Sequence, residues 1–118
     1  MSINGGDTDT TMHYYRIKEA YRKTGEMQDV HREIIGCVCC IARLVIGRSA
    51  VILVILEYDK SRAHRILTSA VQRYKYDDNM VSITTNNSVY KLEKISEDIS
   101  DEEKMMFEKR KLLEVGTE

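Results

Sequence analysis

Over residues 79–95, NMVSITTNNSVYKLEKI, apolar and polar positions alternate, but the phase of the alternation changes part-way. Val81, Ile83 and Thr85 hold odd positions, whereas Ser88, Tyr90 and Leu92 hold even ones. A period of two marks a strand with one buried face, so the reversal needs a local cause at Asn86, Asn87 and Ser88. Two causes fit. A hairpin turn would use the tolerance of Asn for positive φ and the local backbone bonds of Asn and Ser. A β-bulge would insert one residue, shift the phase and project the Asn87 carboxamide from the middle of a strand. The pattern leaves both open.

Earlier in the chain the spacing is that of helices. Tyr14, Ile17 and Tyr21 fall at i, i+3 and i+7, with Thr10 and Thr11 as caps before Met12 and Gly25 as a stop. Met27, Val30 and Ile34 share a face of a second, shorter helix. Together they predict a helical hairpin ending at Gly36. The period then shortens. In CVCCIARLVI (37–46) the even positions Val38, Cys40, Ala42, Leu44 and Ile46 are apolar, and Gly47 opens a tight connection. AVILVIL (50–56) is unbroken and β-branched, as a central strand buried on both faces requires. HRILTSAVQRYKY (64–76) reads as a further strand with a bend or bulge at Thr68-Ser69, and Asp77-Asp78-Asn79 as a turn.

The last stretch, SEDISDEEKMMFEKRKLLEVG (96–116), predicts a helix. Ser100 and Glu103 form a capping box, acidic residues fill the first turn, and Met105 with Leu112 and Met106 with Leu113 make an apolar stripe. The elements predict an α+β fold: an N-terminal helical hairpin, an antiparallel four- to five-stranded meander and a C-terminal helix. One domain is expected over residues 12–118, behind a flexible lead over residues 1–11.

Composition narrows the class. The chain has 118 residues, 42% hydrophobic and 31% charged, enough for a packed core. Its 18 basic and 19 acidic residues leave a net charge of -1, so any anion site must be local. The N-terminus lacks the basic and apolar regions of a secretion signal, which points to the cytoplasm. Arg43 and Arg48 interrupt the most apolar region, and the run 50–56 falls far short of the roughly 20 residues of a membrane span. Cys37, Cys39 and Cys40 crowd one apolar stretch, as buried reduced thiols rather than a disulfide framework or a zinc site.

The sequence lacks G-x-x-x-x-G-K-S/T, G-x-G-x-x-G and G-x-S-x-G. His13, His31 and His64 have no metal-pair spacing, and Asp77-Asp78 reads as a solvated turn. Neither a catalytic group, nor a metal, nor a cofactor is expected. Arg62, His64, Arg65, Arg73 and Lys75, with Tyr74 and Tyr76 among them, form the notable basic and aromatic set. Such a surface could pair phosphates and stack a base. Equally, it could be a solvated outer face whose tyrosines lie half-buried on the inner one.

At ITTNNSVYKL (83–92) the chain resembles small phage proteins in which a strand ending in T-S is followed by one carrying T-x-N-S-x-Y-x-L. Leu67-Thr68-Ser69 and residues 85–92 carry the match, and the chain is similar in this to the Thoeris anti-defence sponge family. The resemblance implies a β-rich, oligomeric protein that binds cyclic ADP-ribose isomers or cyclic oligonucleotides without cleaving them. The immune signal is thereby withdrawn, in the host cytoplasm if the chain is phage-encoded. Asn87 would read the base or ribose, with Ser88 and Tyr90 beside it. Arg110 on the terminal helix would grip phosphate, and a site shared between subunits could bring Arg65 and Arg73 to the same ligand. The competing readings are a protein-interaction module that inhibits a host protein and a small nucleic-acid-binding domain, against which the balanced charge counts.

Overall fold

In a computed structural model, which describes residues 13–95 and 99–116, the chain forms a closed antiparallel barrel. Its strands are β1 (Tyr14–Arg22), β2 (Val38–Arg43), β3 (Ser49–Leu56), β4 (Asp59–Asp77), β5 (Met80–Thr85) and β6 (Ser88–Ile95). They follow chain order around the barrel, and β6 returns to pair with β1. Two helices complete the fold: α1 (Asp29–Ile34) between β1 and β2, and α2 (Asp101–Gly116) after β6. The expected flexible lead lies outside the described residues.

The expected α+β arrangement is therefore overturned: the chain is mostly strand, the N-terminal helical hairpin is a strand followed by one short helix, and in place of an open four- to five-stranded meander six strands close into a barrel. The cause is a β-bulge. Ile17 pairs with Leu92 but Glu19 pairs with Lys91, so Lys18 is an extra residue on β1. The inward side chains of β1 are consequently Tyr15, Ile17 and Ala20, all buried. Across the bulge Ile17 and Ala20 stand three apart on the inward face, as neighbours on a helix do, while Tyr14 of the expected helical face belongs to the outer core. In α1 the expected face of Met27, Val30 and Ile34 is replaced by His31 and Ile34, with Met27 and Val30 exposed.

The strand β3 is buried on both sides, as its unbroken sequence requires. Ala50, Ile52, Val54 and Leu56 point into the barrel with Tyr15, Ile17, Ala20, Cys39, Val81, Ile83, Tyr90 and Leu92. Val51, Leu53 and Ile55 point outward, where α2 covers them with Phe107. Thus the two faces of one strand join a barrel core to an outer core, and each contributes roughly 25 cal/mol per Å² of apolar area withdrawn from water. The capping box of α2 is in place: the Ser100 N–H donates to Glu103 Oε1 (3.0 Å), and the Glu103 N–H to Ser100 Oγ (3.2 Å). Of the expected stripe only Met106 packs against the barrel. Met105, Leu112 and Leu113 are exposed, and Phe107 with Met106 makes the contact.

The phase reversal is resolved in favour of a hairpin. Thr84 pairs with Val89, so Asn86 and Asn87 form a two-residue loop. Across such a loop the closing residues are three apart and share a face, which turns an odd inward set into an even one. The loop does not rely on positive φ, which among described non-glycine residues occurs only at Asp78. A side chain closes it instead: Thr85 Oγ1 accepts the Ser88 N–H (3.0 Å) and donates to the Ser88 carbonyl (3.1 Å). The bulge expected at Thr68-Ser69 is present on β4, since Ser49 pairs with Ala70 and Val51 with Leu67. A second bulge, at Gln72, follows it. Here β4 passes from pairing with β3 to pairing with β5, which lets one long strand turn the corner of a small barrel.

Candidate functional site

The two bulges and the hairpin tip meet at one end of the barrel. The first bulge lifts Thr68 and Ser69 toward the tip, where the Asn87 N–H donates to Ser69 Oγ (3.0 Å) and Ser69 Oγ donates to Thr85 Oγ1 (2.8 Å). Thr68 Oγ1 takes the ladder place left by the bulge, accepting the Ala50 N–H at 2.9 Å. The end of β1 joins from the other side, with the Lys23 N–H donating to the Asn87 carbonyl (2.9 Å). The short helix α1 lies across the same end. Between them is a cavity of about 190 Å³ lined by Arg22, His31, Thr68, Ser69, Asn87, Ser88 and Tyr90, among others.

His31 anchors its floor, only 2% exposed. Its Nδ1 accepts the Gln28 N–H at 3.0 Å, so in the neutral ring the proton sits on Nε2, which lies 3.3 Å from Ser88 Oγ. Burial lowers its basicity, and the nearby Arg22 guanidinium lowers it further. A ring held this way gives a hydrogen bond to the Ser88 hydroxyl and cannot take its proton, so the pair lacks the arrangement of an activated nucleophile. Tyr90 packs its ring 6.1 Å from the imidazole. Its phenol is pushed up by burial, which the Ser88 hydroxyl partly offsets.

Two polar groups on the rim are uncommitted. The Asn87 carboxamide makes no hydrogen bond among the described residues, and the Arg22 guanidinium makes neither a hydrogen bond nor an ion pair there. They offer one fixed positive charge with a forked donor set and one donor–acceptor pair, beside the hydroxyls of Ser69 and Ser88. The volume is below the roughly 300–1,000 Å³ that encloses a drug-sized ligand. A phosphate or a ribose fits inside, with the rest of a larger ligand on the exposed rim.

Of the sequence-derived candidates, Asn87, Ser88 and Tyr90 come together here, with the Leu67-Thr68-Ser69 stretch beside them. Arg65, Arg73 and Arg110 do not line this cavity. Arg65 and Arg110 converge elsewhere, on Glu114, at 3.3 and 3.4 Å. Arg73 stands exposed on β4 opposite Thr84. The cation at the cavity is Arg22, hidden because its segment read as a helix, and His31 was hidden because its partners are remote in sequence. Alternation along a bulged β1 was the one signal that could have placed Arg22 at a strand end.

The basic and aromatic set of β4 divides by face. Tyr74 and Tyr76 stand opposite Ile83 and Val81, which are buried in the barrel, whereas Arg73 and Lys75 stand opposite Thr84 and Ser82. The tyrosines touch edge to face at 5.8 Å. One ligand cannot stack on them and meet Arg73 and Lys75 together.

Among the described residues no group of three His, Cys, Asp or Glu side chains could hold a metal ion, and no helix is long and apolar enough to cross a membrane. Comparison with known protein families, with curated protein sequences and with solved structures finds no match.

Proposed function

We propose that this chain is a non-catalytic binder that sequesters a small phosphorylated ligand of the nucleotide-signal class, a cyclic ADP-ribose isomer or a cyclic oligonucleotide. The observation that carries the reading is the pairing, on one polar cavity, of the uncommitted Arg22 guanidinium with the uncommitted Asn87 carboxamide. Guanidinium–phosphate bonds are charge-assisted and about twice as strong as neutral ones. A carboxamide meets a base edge or ribose hydroxyl with both donor and acceptor. The His31 tautomer favours binding over chemistry, because its contact with Ser88 points its proton toward the serine.

The test is a thermal-shift and calorimetric titration of the full chain with cyclic ADP-ribose isomers and cyclic di- and trinucleotides. A ligand at a hundred times its Kd adds about 2.7 kcal/mol of stability. The expected result is binding that Arg22→Ala and Asn87→Ala each weaken, with intact ligand recovered after heat denaturation. Absence of binding to every compound, or recovery of a cleaved product, overturns the reading.

A further inference from the structure

Closure of the barrel leaves no unpaired strand edge in the sheet through which another chain could add. The helix α2 offers a different surface. Between it and the start of β4 runs an open groove of about 740 Å³, lined on the helix by Glu102, Met105, Met106, Lys109 and Leu113. Met105 and Leu113 are 57% and 60% exposed, an apolar area that a monomer has no use for. Glu102, Met106, Lys109 and Leu113 follow one another at spacings of four, three and four, the repeat of a helix seam made to meet another helix.

We propose that a second copy of this chain fills the groove, its α2 laid antiparallel over the first about a two-fold axis midway between Met105 and Met106. Each Met105 then meets Met106 of the partner subunit, and each Glu102 meets Lys109 of the partner subunit. The charge order along the helix selects this direction. Asp101, Glu102 and Glu103 open α2, and Lys109, Arg110 and Lys111 follow about two turns on, so reversal places Glu102 on Lys109 in both copies. Parallel pairing in register would set Glu102 on Glu102. The groove's other cations are already engaged, Arg62 with Asp59 and Arg110 with Glu114. Glu102 and Lys109 have no ion-pair partner among the described residues. An acidic peptide would satisfy Lys109 but repel Glu102, whereas a second copy satisfies both. A self-complementary patch of this kind closes as a dimer and propagates no further.

The proposal is independent of the ligand cavity, and sedimentation equilibrium of the full chain tests it. The expected species has twice the 13.7 kDa mass of the chain. Because each substitution acts at two symmetric contacts, Glu102→Lys and Lys109→Glu should each weaken the dimer about tenfold, or 1.4 kcal/mol. The double reversal, Glu102→Lys with Lys109→Glu, should restore it. Both positions are exposed, so thermal melting should find every variant folded. A monomer at all concentrations, an oligomer indifferent to the single reversals, or a double variant no tighter than the singles overturns the proposal.

Discussion

The imidazole Nε2 of His31 lies 3.3 Å from the hydroxyl of Ser88, fifty-seven residues away in the chain, and the pair ties α1 to the hairpin that forms the cavity rim. Both side chains are buried, so this bond is made where water competes little. Its polarity is set by Gln28, whose backbone N–H occupies the other ring nitrogen.

Protonation of His31 would place an N–H against that backbone donor and a charge near Arg22. The group's folded pKa is therefore below its ordinary 6.5, through burial first and Arg22 second. With a depressed folded value the unfolded chain binds more protons, so stability rises with pH across the window. This contribution is complete above pH 6.5 and is lost as pH falls from there through the lower folded value. The expected outcome is an NMR titration midpoint below 6.5 for His31, and a pH slope of denaturant stability that is smaller in His31→Asn. A midpoint at or above 6.5 would contradict the buried, neutral ring.

Thr85 closes the β5–β6 hairpin with a hydroxyl that makes three bonds, to Ser69 Oγ and to the backbone N–H and carbonyl of Ser88. Replacing it with the isosteric Val leaves those buried partners unsatisfied, at a cost of about 1–3 kcal/mol. Thr85→Ser keeps the oxygen and loses one methyl, about 0.8 kcal/mol. Chemical denaturation should thus rank the wild type above Ser and Ser above Val. If Val equals the wild type, the hydroxyl does not hold the tip.

Most of the strands were legible in the chain by their period, although the barrel they close into was not. The runs that became β2, β3, β5 and β6 declare themselves by alternation or by unbroken β-branched residues, and the capping box of α2 is complete in the sequence. What failed did so where one extra residue breaks the period. Lys18 sets the inward Ile17 and Ala20 three apart, the separation of neighbours on a helix face, and the alternation of the strand is lost there. Barrel closure was hidden for a related reason, since the pairing of β1 with β6 joins opposite ends of the chain. The candidate site divides along the same line. Asn87, Ser88 and Tyr90 share one short segment, but Arg22 depended on the misread strand, and Arg65, Arg73 and Arg110 were chosen by residue type without knowledge of face.

The three cysteines offer a check on how tightly the barrel is closed. Cys39 faces the inner core and Cys40 the outer one, while Cys37 sits beneath α1, and all are free and buried. Burial pushes the Cys40 thiol up to about 12, raises that of Cys37, and raises that of Cys39 well above its usual range. Ellman's reagent at pH 8 should therefore leave the native protein unlabelled over the time in which the denatured chain releases its 3 thiols. Rapid labelling of any one in the native state would mean that the segment carrying it opens.

The attachment of α2 rests on few residues, and this makes Phe107 the decisive one. Its ring is fully buried, 5.5 Å from that of Tyr14, over Val51, Leu53 and Ile55 on the outer face of β3. Met106 packs beside it, while Met105, Leu112 and Leu113 remain exposed. Truncation by Phe107→Ala should cost about 3–5 kcal/mol, because the surrounding strands cannot collapse into the space. Leu112→Ala, at 72% exposure, should change stability by no more than about 0.5 kcal/mol. Hydrogen exchange separates loss of the helix from loss of the fold. The inner core of β3, β5 and β6 does not contain Phe107, so their amides should stay protected in the variant while those of α2 exchange freely. If helix and barrel lose protection together, the two cores are one cooperative unit, and β3 transmits the loss from its outer face to its inner one.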